Sequence, residues 1–381
     1  MKIKRLTAEN FRNIERCDIS FSDGVNLLVG DNAEGKTNAV EAIYLFARGK
    51  SHRSNDERDM VRFGEEGFRI SIEYDTLHGT DTLEYASFGR AKQRKKNGYK
   101  LKGVREMLGS FKCVLFYPDN LEIVKDGPDE RRAFLNIALS QVYPIYLEYY
   151  TKYKEALDAR NKLLKLAREM PISNEEIEAW SLSMAEYASY IYILRFEYLK
   201  ELEVHASHIC RELSGGEDLR IFYKSNINEN DVALDEPVSF LDITTRISRE
   251  LVKNEYYKLL TRDISREIAA GTSLFGVQRD DIIIELEGKE ARLFASQGQK
   301  RSIVLSLKLA EGEVIRDKFG EYPVFLFDDV LSELDSKRRQ YLIEKMGERQ
   351  IIITSCEGDE IEALAGRIIE VKGGQYVPSY R

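Results

Sequence analysis

The chain has 381 residues, 43% hydrophobic and 32% charged, with a formal net charge of −8. That much apolar material supports a sizeable core and excludes wholesale disorder, and the length suits two or three domains or one large domain carrying an insertion. No apolar run exceeds six residues (Ala42 to Ala47), far below the roughly 18 of a membrane helix, so no membrane partner is expected. The start, Met1 to Arg5, leads into no apolar signal region, and no secretory signal is expected. The four cysteines lie at least 96 residues apart, which argues against a zinc ribbon or disulfide scaffold and fits a reduced, cytoplasmic compartment. Charge is uneven: residues 1–120 hold 21 Lys+Arg against 18 Asp+Glu, and the rest 36 against 47. A polyanion would need a local basic patch.

In chain order, Val25 to Val29 is a short, mostly apolar run ending at Gly30 and reads as a buried strand. Residues 36–47 carry apolar side chains at helical spacing, and short alternating runs from 60 to 117 predict a small antiparallel sheet. Residues 130–212 contain no glycine, and nine tyrosines lie between 143 and 198. They read as an arm of long helices packed through tyrosine rings. Turns and short strands follow to 245, then a helix over 246–270. From 280 strands and helices alternate: strand 281–286, helix 298–318, strand 324–327, helix 336–347 and strand 350–354. That order predicts a parallel sheet covered on both faces.

The strongest motif is Gly30-Asp31-Asn32-Ala33-Glu34-Gly35-Lys36-Thr37, which matches GxxxxGK[ST] between a strand and a helix. Its glycines let backbone N–H groups curl around phosphates, Lys36 reaches the β- and γ-phosphates, and Thr37 can bind Mg2+. ATP and Mg2+ are therefore the expected cofactors. A second carboxylate for the metal belongs at the end of a buried strand. Val324 to Phe327 followed by Asp328 and Asp329 supplies it, with Asp328 on Mg2+ and Asp329 polarising the attacking water. Lys36 and Asp328 lie 292 residues apart. An insertion of that size resembles the layout of ABC/SMC-type heads, in which an arm splits the ATPase. The expected fold is accordingly α/β, a P-loop ATPase head of mixed sheet and flanking helices split by an inserted, mainly helical arm. Residues 1–120 and 271–381 form its halves and 121–270 the arm.

Such heads carry a signature loop that completes the ATP site of a second copy. Leu213-Ser214-Gly215-Gly216-Glu217 spells one but lies beside the arm, so the better candidate is Ser296-Gln297-Gly298-Gln299, which opens a helix. Ser332 and Asp335 follow the acids where these heads place a D-loop.

Taken together these motifs resemble the RecF family of bacterial DNA replication and repair proteins. Glu9-Asn10-Phe11-Arg12-Asn13 resembles its FRN element, and Gly30 to Thr37 with Asn38 its Walker A. Phe116 to Leu121 with Gly127-Pro128 and Arg131 to Leu135 resembles its FxPxDL…GxPxxRRxFLD stretch. Ser296 to Gln299 with Leu305 to Glu311, and Asp328 to Asp335, resemble its SQGQ…LALKLAE and DDVLSELD. The chain departs at Gly276-Val277-Gln278-Arg279-Asp280-Asp281, where the family's Pro and His are replaced. The resemblance implies nucleotide contacts from Arg12, Asn13 and Asn38, and an ATP-dependent homodimer on double-stranded and gapped DNA. It also implies action with RecR and RecO to load RecA, and a weak, DNA-stimulated ATPase.

Residues 90–102 hold seven cations and no acid, Arg90, Lys92, Arg94, Lys95, Lys96, Lys100 and Lys102, around an Asn97-Gly98 turn. A basic hairpin of this kind suits phosphate contact, and a solvated hairpin is the alternative. Arg131 and Arg132 are expected in intramolecular ion pairs. Rival functions are a non-hydrolysing structural clamp, because Asp329 stands where many such ATPases have Glu, and a cassette-transporter subunit, which would need membrane partners.

Overall fold

The computed structural model describes every residue except 55, 90, 228–231, 234–245, 332–333, 346, 357–364 and 380–381. It is mixed α/β and divides into two compact units: residues 1–121, 212–215 and 304–381, and residues 122–211 and 216–303.

The first unit contains two six-stranded sheets. One is antiparallel, in the order Ile14–Ser20, Lys2–Phe11, Gly67–Thr76, Gly79–Phe88, Ala91–Lys96, Tyr99–Lys100. Its strands alternate buried and open residues, the pattern of a sheet with one face on a core. The other runs Gln375–Ser379, Arg367–Lys372, Val25–Val29, Ile351–Ser355, Val324–Phe327, Cys113–Phe116. Its inner strands pair in parallel, and Val324–Phe327 and Cys113–Phe116 are buried at every position. Uninterrupted apolar runs are what a parallel sheet covered on both faces requires. The registers Ser355↔Val29 and Phe327↔Ile353 bring three strand ends to one edge, so that Gly30, Asp328 and Thr354 emerge together.

The second unit is the helical part. Pro128–Val142, Pro144–Leu166, the 41-residue Asn174–Ser214, Arg246–Arg262 and Ile264–Ala270 supply its helices. Tyr146, Tyr153, Tyr192 and Tyr198 are fully buried, so these tyrosines serve packing. Arg160 is fully buried and donates four hydrogen bonds, to Ser181 Oγ, Ser273 Oγ, the Leu260 carbonyl and Glu267. The segment 271–303 differs from its expected place. Asp281–Leu286 pairs antiparallel with Leu219–Lys224 in a four-stranded sheet, which puts 271–303 with the helices rather than with the parallel sheet. Its side chains alternate buried and half-buried, the signature of a one-sided antiparallel strand. Gln278, at the departure from the family pattern, accepts from Tyr153 and donates to the Phe275 carbonyl.

Arg160→Met leaves the Glu267 carboxylate buried without its cation. We expect a loss of about 3–5 kcal/mol, read in a urea or thermal melt, with most of it restored in Arg160→Met/Glu267→Leu.

Candidate nucleotide site

Gly30 to Thr37 turn from the strand Val25–Val29 into the helix Lys36–Arg48. Gly35 sits at φ 120°, a region closed to most side chains, and a Cβ on Gly30 would fall 2.1 Å from the Val371 carbonyl oxygen. Lys36 Nζ donates to the Gly30 carbonyl at 2.6 Å and the Asp31 carbonyl at 2.9 Å, and lies 3.4 Å from Cys356 Sγ. Thr37 Oγ1 donates to Asp328 Oδ1 at 3.0 Å, although the two residues are 291 apart in sequence. Thr37 and Asp328 thus meet in the fold, while Lys36 lies on the loop carbonyls.

Asp328 is 5% exposed, and burial pushes its carboxyl up to about 6, against hydrogen bonds from Thr354 and Thr37 that pull it down. Among the described residues the other buried acids, Glu41, Glu203, Glu267, Asp280, Glu311 and Glu313, each stand beside a Lys or Arg. Asp328 has two hydroxyls instead. Two hard oxygens, Thr37 Oγ1 and Asp328 Oδ1, and a carboxylate with no ion pair among the described residues fit Mg2+. Asp329 adopts φ 53°, and its backbone N–H donates to Thr354 Oγ1 at 2.9 Å.

The loop is braced from outside. Asn13 Nδ2 lies 3.4 Å from the Ala33 carbonyl and 3.2 Å from that of Glu34, and Asn38 Nδ2 donates to Asn13 Oδ1 at 2.7 Å. The C-terminal hairpin adds three bonds: Gly374 N to the Glu34 carbonyl, Gly373 N to the Glu34 carboxylate, and Tyr376 OH to the Gly35 carbonyl at 2.8 Å. Gly373-Gly374 is a hairpin-turn pair, but its meeting with the loop comes only through the fold. Arg12, expected at the nucleotide, has its guanidinium on Glu41 at 2.6 and 2.9 Å and on the Asp59 carbonyl. Glu41 is fully buried. Burial alone would raise its carboxyl, but Arg12 and Ser51 hold it below the ordinary carboxylate value. Arg12 thus fastens the strand Lys2–Phe11 to the P-loop helix.

The chain matches known proteins over nearly its whole length. The RecF/RecN/SMC N-terminal domain family matches residues 2–375. The DNA replication and repair protein RecF of Clostridioides difficile (strain 630) is 36% identical over 358 residues, 94% of this chain and 92% of that one. That of Bacillus cereus (strain G9842) is 36% identical over 366 residues, 95% and 94% of the two chains.

This chain belongs to the RecF family.

Among solved structures, the recombination mediator RecF with ATP, of the RecFOR pathway, is 31% identical with a TM-score of 0.90 over 100% of this chain and 98% of that one. An Smc head from Pyrococcus furiosus, solved with the C-terminal domain of ScpA, is 17% identical with a TM-score of 0.55 over 99% and 96%, and shares the fold.

The remaining RecF elements fall as follows. Ser296 and Gln299 form a reciprocal cap on the helix Gln297–Phe319: Gln299 N donates to Ser296 Oγ at 3.2 Å, and Ser296 N to Gln299 Oε1 at 2.8 Å. Ser296 and Gln297 are exposed, and Gly298 lies in the first turn. Leu213 to Glu217 ends a helix, with Gly215 and Gly216 at φ 87° and 131°. Asp335 caps the helix Ser336–Lys345 through Arg338 N, and Ser332 lies outside the described residues. In the basic hairpin Asn97 and Gly98 take φ 51° and 81°. Lys92 pairs with Glu57, Lys95 with Glu84 and Lys96 with Asp81, while Arg94 lies 4.5 Å over the Tyr85 ring. Arg90 lies outside the described residues. Lys100 and Lys102 are exposed, and neither ammonium has an ion pair among the described residues, while the Lys102 backbone N–H donates to Glu106 Oε2 at 2.7 Å. Arg131 is paired with Asp281, as expected.

A carboxyl whose folded pKa is raised favours the folded state only while protonated. Below about 4 Asp328 adds nothing against folding; as pH rises through about 6 its ionised form comes to cost on the order of 3 kcal/mol in the nucleotide-free protein. Asp328→Asn should therefore raise the melting temperature of nucleotide-free protein at pH 8 by several degrees and leave it nearly unchanged at pH 4. An unaltered melting temperature at pH 8 would show that the carboxylate carries no such cost.

Proposed function

We propose that this chain is an ATP-dependent DNA-binding protein of replication and recombinational repair. A homodimer sandwiches ATP and Mg2+, binds duplex and gapped DNA, and acts in the cytoplasm with RecR and RecO to load RecA onto single strands. Weak, DNA-stimulated ATP hydrolysis resets the dimer. The observation that carries the reading is the meeting of Thr37 Oγ1 and Asp328 Oδ1 behind a complete phosphate loop. The 36% identity to RecF proteins over nearly the full chain supports the biological setting.

In this reading Lys36 leaves the Gly30 and Asp31 carbonyls for the β- and γ-phosphates. A leaving cation and an arriving anion exchange partners within the loop, so little rearrangement is needed. Gly30 to Asn38 hold the phosphates through backbone N–H groups and the helix N-terminus, with Arg12 and Asn13 keeping that frame in place. Thr37 and Asp328 hold Mg2+, which supplies charge neutralisation at the phosphates. Asp329 orients the attacking water. Ser296, Gln297, Gly298 and Gln299 of one copy, with Ser332 and Asp335, complete the site of a second copy. Residues 1–121 and 304–381 act as the head halves and 122–303 as the arm.

Lys36→Ala should abolish ATP binding and ATP-dependent dimerisation together, followed by nucleotide titration and light scattering. Ser296→Arg should keep nucleotide binding but lose dimer and turnover. Mixing the two proteins should restore part of the ATPase, since one site of the mixed dimer is intact. Absence of rescue, with both folded, would confine Ser296 to its cap.

For DNA, the pairing of Lys92, Lys95 and Lys96 leaves Lys100 and Lys102 as the freer charges. Lys100→Ala/Lys102→Ala should weaken duplex binding and lower the slope of log affinity against log salt by about 2. An unchanged slope would place the DNA path elsewhere.

A further inference from the structure

The strand Ile351–Ser355 lies between the strand entering the phosphate loop and the strand ending at Asp328. Near its end Thr354, 1% exposed, sends its hydroxyl between the two acids. Oγ1 is 2.9 Å from Asp328 Oδ1, 3.2 Å from Asp329 Oδ1, and accepts the Asp329 backbone N–H at 2.9 Å. Asp329 is held at φ 53°, a left-handed conformation that costs a non-glycine residue energy and persists where the surroundings hold it.

A hydroxyl has one proton and two lone pairs. One lone pair of Thr354 Oγ1 serves the Asp329 N–H. Its proton serves one carboxylate at a time, Asp328 or Asp329. Thr37 donates to the same Asp328 oxygen at 3.0 Å, so Asp328 keeps a donor when the Thr354 proton turns to Asp329. One side chain thus fixes the backbone of Asp329, bonds its carboxylate and links it to its neighbour. Burial in a sheet strand would be served equally by valine, which has the same shape and a higher strand preference. The three oxygen contacts are what valine would lack.

We propose that Thr354 is a positioning residue for ATP hydrolysis, acting through Asp329. This rests on the reading of Asp329 as the group that orients the attacking water. Displacing such a group by a fraction of an ångström slows the chemical step and leaves nucleotide affinity, set by the phosphate loop, nearly intact.

The test uses the full chain. Turnover is measured with saturating duplex DNA, ATP affinity by titration of a fluorescent ATP analogue in EDTA, and dimer lifetime by light scattering after ATP addition. Thr354→Val should lower kcat on the order of 10- to 100-fold, hold affinity within about threefold, and lengthen the life of the ATP dimer. Thr354→Ser, which keeps the hydroxyl, should recover most of kcat. Asp329→Asn should lose kcat to a similar degree, and the double variant should lose little more, because the two act as one unit. If Thr354→Val is recovered unfolded, Thr354→Ala is read against the same values. A kcat within about threefold of wild type in the valine or alanine variant, alongside a crippled Asp329→Asn, overturns the role of Thr354 and leaves that of Asp329 standing. An Asp329→Asn protein with normal kcat overturns the assignment of Asp329 and the proposal with it.

Discussion

Asp328 is a buried carboxylate with no ion pair among the described residues, and the parallel sheet of the first unit creates that position. A lone ionised acid in the interior is costly unless something compensates it. Elsewhere in the described structure compensation is built in: Arg160 for Glu267, Arg12 for Glu41, Arg195 for Asp280. At Asp328 the fold supplies Thr37 and Thr354, neutral donors that aim the carboxylate without cancelling its charge. On the proposed reading that cost is an affinity for a hard cation held between Thr37 and Asp328.

Placing those groups is a problem of topology. Thr37 and Asp328 are joined by a chain that leaves the first unit at residue 121 and rejoins it near residue 304, apart from a short return at 212–215. Loop-closure entropy grows only slowly with length, so an insertion of this size adds little to the cost of closing the sheet. What holds the closure is parallel pairing among Val25–Val29, Ile351–Ser355, Val324–Phe327 and Cys113–Phe116, apolar strands buried almost throughout. Register then decides which residues share the ligand edge. A one-residue slip of Ile351–Ser355 would turn Thr354 away from the acids and Ile353 toward them.

Local chemistry was legible in the sequence and long-range partnership was not. Glycines at 30 and 35 before Lys36 and Thr37 announce a phosphate loop because adjacent residues make it. Asp328 was equally plain, two acids after four apolar residues. The strand Asp281–Leu286 was recognised as a strand, but its sheet was not, since its partner Leu219–Lys224 begins about 60 residues upstream. The basic run 90–102 showed its cations but not the acids they meet: Glu84 and Asp81 come from the neighbouring strand and Glu57 from a separate turn. That Tyr376 and Gly374 brace the loop more than 330 residues before them left no trace that spacing or composition could reveal. Thr354 was visible only as the end of a strand; its contacts with both acids follow from strand order.

The same limit applies to Ser296, whose hydroxyl can serve a helix cap or a phosphate. The geometry makes them compatible. A capping hydroxyl works as an acceptor, and Ser296 Oγ takes the Gln299 N–H at 3.2 Å. Its own proton is not consumed by that bond. Capping fixes the oxygen at the head of a 23-residue helix, whose first turn carries unsatisfied N–H groups and a partial positive charge. Gln299 returns the bond to Ser296 N, so the serine is held from both sides while its side chain remains exposed. A serine tethered in this way loses little further freedom on meeting an anion, and its hydroxyl and the helix N-terminus point the same sign of charge outward. The cap thereby fixes the Ser296 oxygen while leaving its proton available to an anion.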